Sequence, residues 1–521
     1  MSGGAGRAHG SRTPDVGYLA LVLHTHLPWL AHHGSWPVGE EWLYQAWAGS
    51  YLPLVEVLDR LADDGRHDVL ALGVTPVLAA QLDDPYTLRQ MHTWLGFWAE
   101  RAHGLAGRDD PHLAELAAYE HRLATRAMQA FETRWRHGGS PVLRALADAG
   151  TVQLLGGPAT HPFLPTLAEP VARFALRAGL DDASLRYGTR PGWIWSPECG
   201  YRPGLEQLFA AAGVRGFVVD QPNLAAAGRD RPADTGVAWR VAGSDVLVLA
   251  RDAAVTDAIW SSQSGYPRGA DYRDFHTFDH ESGIRPARVT SVDTPARSKA
   301  PYDPVAAAAA AEKDAHDFVG VVRRRLGELA AARDGAPGLV TVAVDTELFG
   351  HWWHEGPRWL EQVVRLLPRA GVRLVTPDRI GELGLVGGDV PLGPGSWGAG
   401  KDWHLWAGPQ VHDLVAQADA VQHRLLALVG GHDRPGERDE GLDQLAREAL
   451  LLVSSDWAFM VSRDSAAAYA RDRARAHAER FHALADAIEQ RAPQEAARLA
   501  ADLRAIDGPF GALDARTLRR G

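Results

Sequence analysis

The chain has 521 residues, with 54 Lys and Arg against 65 Asp and Glu, a net charge of −11 and a pI near 6.1. That length exceeds one ordinary core and implies two or three domains. The acidic balance lacks the basic footprint of a nucleic-acid binder, so the run Arg323-Arg324-Arg325 reads as a solvated helix face.

In chain order, residues 1–15 are polar and Gly-rich, lack the apolar core of a secretory signal, and read as a disordered tail. Val16–Leu23 (VGYLALVL) is a buried strand that runs into His24-Thr25-His26, and it is far too short to span a membrane. Residues 40–63 have helical spacing. A second strand, His67–Gly73, is followed by Ala/Leu/Arg/Glu-rich helices at 85–148, placed as a helical insertion at about 83–149.

Further strands are expected at Gly150–Leu155, Gly192–Trp195, Gly216–Val219, Asp245–Ala250, Val340–Val344 and Val372–Val375, with helices at 167–186, 204–212, 304–333 and 358–367. Alternation of this kind points to a parallel α/β barrel or sheet over 16–385, with its chemistry at the strand ends. From residue 386 a Gly/Pro/Trp loop gives way to helices only (408–430, 440–460 and 463–505), a C-terminal helical domain over 386–521. The single cysteine, Cys199, excludes an intramolecular disulfide and fits a reducing compartment. The expectation is a soluble cytoplasmic protein with no membrane partner.

Two strand ends carry carboxylates in a suggestive setting. Trp193–Tyr201 (WIWSPECGY) delivers Glu198 straight from an apolar strand; the plainer reading is an acid that caps the next helix or pairs with an arginine. Val340–Gly356 (VTVAVDTELFGHWWHEG) ends its strand at Asp345 and follows with Glu347, His351, Trp352, Trp353 and His354, a mixture that core packing alone does not explain. Trp outnumbers the other aromatics, 18 against 13 Phe and 11 Tyr, which suits either a Trp-rich core or stacking on flat ligands such as sugars. Paired carboxylates among indoles suit glycoside chemistry, where one acid protonates the leaving oxygen and the other attacks C1 or activates water.

A rival reading starts from His24-x-His26, which with His161 and Asp345 forms a plausible zinc set for a metal-dependent barrel hydrolase. Bound stoichiometric zinc and inactivation by chelation would favour it. A third class, a glucan-binding protein without turnover, would retain affinity and show no catalysis.

Eight segments in order resemble glycoside hydrolase family 57, and within it the 1,4-α-glucan branching enzymes. They are VLHTHLPWL, ATHPFLP (159–165), WSPECGYRP (195–203), WSSQSGYP (260–267), KAPYDP (299–304), VDTELFGHWWHEG (344–356), GSWGAG (395–400) and LLLVSSDWAF (450–459). The likeness runs from about Tyr18 to the last helices. It implies an incomplete (β/α)7 barrel with a helical insertion and a C-terminal helical domain. It also implies a retaining mechanism, with Glu198 as nucleophile and Asp345 as general acid/base, their carboxyls roughly 5–5.5 Å apart. The family pattern needs no cofactor and puts His24 and His26 in the glycone subsite without a metal. Trp29, Trp260, Trp397 and Trp406 match cleft tryptophans, and Asp456 matches a helix-borne aspartate near the site. His161, His351 and Trp353 join the substrate-binding set. Glu347 supports the acid/base strand, while Trp403 and Trp457 fit cleft or core equally.

The implied substrate is an α-1,4-glucan, the implied product an α-1,6-branched, glycogen-like glucan, and a monomer is favoured. One departure bears on the outcome. The family's long loop, with a tyrosine at its tip that covers the site, corresponds here to the short, tyrosine-free stretch Asp220–Trp239. Hydrolysis of α-glucan therefore stands as the alternative to branching.

Overall fold

The structure is a computed structural model and describes residues 16–35, 38–227, 233–261, 263–431 and 437–519. The expected N-terminal tail lies outside them.

Ten strands are present among the described residues: β1 (Gly17–Thr25), β2 (Leu70–Val74), β3 (Val152–Leu155), β4 (Trp193–Ile194), β5 (Gly216–Val219), β6 (Ala238–Val241), β7 (Leu247–Ala250), β8 (Gly338–Asp345), β9 (Val372–Leu374) and β10 (Val386–Val390). The parallel order β3-β2-β1-β8 forms one sheet, and β4-β5-β7 belong to the other. Gly156 joins the two by exchanging backbone hydrogen bonds with Trp193 and Trp195. On the far side, Asp252 N–H, just past β7, donates to the Thr341 carbonyl in β8 at 2.8 Å. The result is a seven-stranded ring, β1-β2-β3-β4-β5-β7-β8, which is ladder-paired except at the β3/β4 junction, where Gly156 makes an isolated bridge to Ile194, and at the β7/β8 seam. This is the incomplete (β/α)7 barrel.

The long apolar strands are central because they are covered on both faces. β1 pairs with β8 along its whole length and with β2 and β9 on its other edge, and Leu19 to Leu23 are all buried. Continuous apolar runs are the signature of such strands. Two short strands escape the pattern. β6 runs antiparallel to β7, and β10 pairs in parallel with β6. The sheet thus extends past the expected boundary at 385.

The insertion after β2 consists of helices Pro85–Gly104, Pro111–Ala130 and Gly139–Asp148. The segment expected as one helix over 40–63 is interrupted by a widened π-type turn at Trp47–Tyr51. Such turns re-aim side chains and recur near functional sites. Here the turn points Ser50 and Tyr51 at the end of β8: Ser50 Oγ donates to the Thr346 carbonyl and Tyr51 Oη to Glu347 Oε1.

The C-terminal region is helical: His412–Gly430, Glu440–Leu452, Ser455–Ser462, Ala467–Glu489 and Pro493–Arg504. The expected helix over 440–460 breaks at residues 453–454, which presents Ser455 and Asp456 at a fresh helix start. Ser455 N–H donates to the His161 carbonyl, docking that start onto the barrel mouth. Among the described residues, no helix is long and apolar enough to cross a membrane.

Candidate active site

The C-terminal ends of β1, β4 and β8 converge with the start of helix Ser455–Ser462. In the β1/β8 register His24 stands opposite Asp345. One residue further, Thr25 and Thr346 share a hydrogen bond of 2.7 Å between their hydroxyls, which locks the two strand ends together.

Glu198 follows β4 in a tight turn. It has φ +60° and Cys199 has φ +51°, left-handed conformations that cost roughly 1–3 kcal/mol each at non-glycine residues. The turn projects the carboxylate inward, where it is buried and fully engaged. Trp397 Nε1 donates to Oε2 at 2.8 Å and Ser455 Oγ to Oε1 at 2.8 Å, and His161 Nδ1 lies 3.8 Å from Oε1. Burial pushes the carboxyl up to about 7. The Trp397 and Ser455 donors and nearby His26 oppose that rise, while the Asp456 charge adds to it.

Asp345 has a different environment. Its carboxyl is held well above the usual carboxylate range by burial first, then by the charges of Glu347 and Glu198, with Arg251 opposing. Glu347, bound by Tyr51 Oη and by the His26 backbone N–H at 3.3 Å, is itself pushed up to about 7 by burial. Glu198 is therefore surrounded by donors that favour its anion, whereas Asp345 is surrounded by acids that favour its proton.

The histidines form a stack beside Glu198. The His24 ring lies 4.5 Å from Trp195 and 4.8 Å from His161, and His161 lies 3.8 Å from His26, all in stacked orientation. Burial holds His24 and His161 well below the usual histidine range, so both are neutral. Burial would lower His26 as well, but the Asp456 carboxylate, bound to its Nε2 at 2.8 Å, overcomes this and raises it.

The groups gathered here differ from the zinc set of the rival reading. His26, His161 and Asp456 place ligand atoms within 4.8 Å of one another, with Asp456 rather than Asp345 as the acid. Their atoms are largely committed elsewhere: His26 Nδ1 to Thr75, His26 Nε2 to Asp456 and His161 Nδ1 to Ser455. His161 Nε2 and both nitrogens of His24 are buried without a protein partner. A second cluster, His33, His477 and Asp507, is tied up by a His477–Glu448 hydrogen bond and an Arg480–Asp507 ion pair.

The tryptophans separate into three groups. Trp397 touches the nucleophile candidate directly. Trp260 is 39 % exposed and meets Trp352, 38 % exposed, edge-to-face at 5.9 Å, which makes an open aromatic surface. Trp29, Trp353 and Trp406 are buried side chains. Trp29 is 3 % exposed and donates its indole N–H to the Ile506 carbonyl; Trp353 packs on Trp359 and Tyr272; Trp406 stacks on Phe163 at 4.9 Å. Trp457 is likewise buried, and its indole donates to the Leu451 carbonyl, while Trp403 is half-buried with its indole on the Gly395 carbonyl. His351 lies half-buried against Phe275, and burial together with Arg285 lowers it to about 3.

Four contributors went unread in the sequence: Ser455, Tyr51, Trp195 and Arg251. Arg251 follows β7 directly, stacks its guanidinium 5.2 Å over the Trp397 ring and lies 3.7 Å from Asp220. Its place at a strand end was the available signal. Ser455 adjoins Asp456, and its role becomes visible only once the helix docks.

Comparison with known proteins shows the family. Residues 20–382 match the model of glycosyl hydrolase family 57, and residues 417–518 match the C-terminal region of 1,4-alpha-glucan branching enzymes. The chain is 51 % identical to a probable 1,4-alpha-glucan branching enzyme of Mycobacterium tuberculosis, over 98 % of this chain and 99 % of that protein. It is 32 % identical to a 1,4-alpha-glucan branching enzyme of Thermococcus kodakarensis, over 95 % of this chain and 77 % of that one. The crystal structure of a GH57-type branching enzyme from Pyrococcus horikoshii superposes with a TM-score of 0.90 at 31 % identity, covering 96 % of this chain and 97 % of the other. The chain belongs to glycosyl hydrolase family 57.

Proposed function

We propose that the chain is a retaining 1,4-α-glucan branching enzyme in which Glu198 is the nucleophile and Asp345 the general acid/base. The observation that carries the assignment is the opposed surroundings of the two carboxyls. Glu198 accepts hydrogen bonds from Trp397 and Ser455, while Asp345 sits among Glu347 and Glu198. Two carboxyls whose environments favour opposite protonation states divide naturally into base and acid.

The Glu198 carboxylate attacks C1 of a glucose unit inside an α-1,4 chain as Asp345 donates its proton to the departing glycosidic oxygen. The glucan is then held covalently on Glu198, and the fragment bearing the new 4-hydroxyl leaves. Asp345, now a carboxylate, takes the proton of an incoming hydroxyl as that oxygen displaces Glu198 from C1. When the hydroxyl is a glucose 6-OH, an α-1,6 branch forms; when it is water, the chain is hydrolysed. The exposed pair Trp260 and Trp352 offers stacking surface for the glucan chain. A glucan-synthesising role fits an intracellular enzyme.

The short, tyrosine-free stretch after β5 favours a second outcome at the same site, hydrolysis with little transfer. Linkage analysis of amylose products decides between them. Branching gives new α-1,6 linkages with little gain in reducing ends. Reducing ends in proportion to turnover, without α-1,6 signal, overturn it.

A further inference from the structure

We propose that Lys401, which touches neither carboxyl, is a positioning residue for the nucleophile, acting through Trp397. The inference builds on the reading of Glu198 as nucleophile.

Residues 396–401 form a tight loop that folds back on itself. Lys401 has φ +58°, its N–H donates to the Gly398 carbonyl, and its own carbonyl accepts from Ser396 N–H. The loop's payload is Trp397, which grips Glu198 twice, by backbone N–H to the Glu198 carbonyl at 2.9 Å and by Nε1 to the carboxylate at 2.8 Å. Something must keep this strap down on the barrel. The Lys401 ammonium does so with two bonds: to Asp220 Oδ2 at 2.6 Å, just past the end of β5, and to the Trp397 carbonyl at 3.0 Å.

Asp220 is a firm anchor. It is buried, its Oδ1 accepts the Gln221 backbone N–H, and Arg251 lies on its other side. Arg251 also covers the face of the Trp397 ring, and Trp195 meets the ring at 4.9 Å. The indole is thus fixed on its face by Arg251, beside Trp195 and at its backbone by Lys401. Lys401 is the outer member, with its side chain 45 % exposed, so it can be changed without opening the core. The latch closes over the end of β5, where the family's covering loop would begin.

The groups facing Glu198 are Trp397, Ser455 and His161, with the charges of His26, Asp456 and Asp345 nearby. Removing the latch loosens the Trp397 donor and leaves the other groups in place. The Glu198 anion then loses stabilisation, and its proton is held to higher pH.

The test is the pH profile of bond cleavage on amylose by full-length Lys401→Met. The expected result is a kcat lower by about tenfold, little change in KM, and an acidic limb of kcat/KM moved to higher pH. Lys401→Arg restores the wild-type limb. Asp220→Asn reproduces the shift, and the double variant adds nothing beyond either single change. An unmoved acidic limb in folded Lys401→Met overturns the proposal; if that variant does not fold, Asp220→Asn carries the same test with the same two outcomes. Cleavage is read whether the product is branched or hydrolysed, so failure here is distinct from failure of the branching reading, which Glu198→Gln and product linkage decide.

Discussion

Ser455 donates its hydroxyl to Glu198 Oε1 at 2.8 Å across 257 residues of sequence, so the C-terminal helical region supplies part of the candidate active site. The hydroxyl is available because the helix restarts at Ser455 and its N–H is held by the His161 carbonyl. The barrel presents the carboxylate, and the helical region helps set its charge.

Ser455→Ala removes one of the two donors to the Glu198 carboxylate. A hydrogen bond to a charged group contributes about 1.5–3 kcal/mol, so kcat should fall by roughly ten- to a hundredfold. The acidic limb of the pH profile should also move up, because the lost donor favoured the anion. Steady-state kinetics across pH would read both effects, and an unchanged limb would count against the hydroxyl's electrostatic role.

Wild-type pH dependence follows from the two environments. As the proposed nucleophile, Glu198 must be ionised to attack, and burial has pushed it up to about 7, so kcat/KM should fall as pH drops below that value. As the proposed general acid, Asp345 must be protonated to donate, so its raised position should set the alkaline limb. The two charges interact, so the limbs belong to the pair. Glu198→Gln should abolish cleavage. Asp345→Asn should slow it severely and remove the alkaline limb from what remains.

Asp345 also makes a stability prediction. Its folded-state pKa lies above the unfolded one, so the folded protein binds that proton more tightly. When both states are protonated, near or below about pH 4, the buried group carries no such cost. The cost grows as pH rises from there toward the folded pKa. Asp345→Asn, which has no charge to bury, should melt above wild type at about pH 8, with the gap closing toward about pH 4. Thermal unfolding at both pH values measures this, and a gap that widens on acidification would refute it.

The frame was legible where physics leaves a local trace. β1 and β8 announce themselves as apolar runs because both faces are buried, and their polar ends mark the mouth of the barrel. β10 left no such trace: VGGDV is a poor strand sequence, and only its pairing with β6 makes it one. Tryptophan positions were legible, but which way each ring faces was not. Trp397 and Trp29 look alike in sequence; one holds Glu198, and the other ties the loop after β1 to the carbonyl of Ile506. The donors to Glu198 come from distant segments, and only tertiary docking brings them together.

The contrast between those two residues can be measured. Trp29→Phe keeps most of the buried area and loses the hydrogen bond to Ile506, at a cost of about 1 kcal/mol or more for the carbonyl left behind. The expected outcome is a lower melting temperature with kcat and KM on amylose near wild type. A selective rise in KM without loss of stability would instead place this ring in the glucan cleft.

The exposed pair Trp260 and Trp352 predicts the opposite signature. Edge-to-face contact at 5.9 Å holds the two rings at 63° to each other, offering two differently tilted faces to a curved chain. Both rings are already more than a third exposed, so truncation opens no cavity in the core. Loss of one stacking contact, about 0.5–1.5 kcal/mol, should raise KM for long amylose some two- to tenfold in Trp352→Ala. The melting temperature should hold. Short maltooligosaccharides that do not reach the pair should be cleaved as by wild type, so the ratio of kcat/KM on long and short chains is the diagnostic quantity. If both substrates lose equally, the ring supports the end of β8 through His351 and Glu347 rather than the chain, and its proposed role as a stacking surface fails.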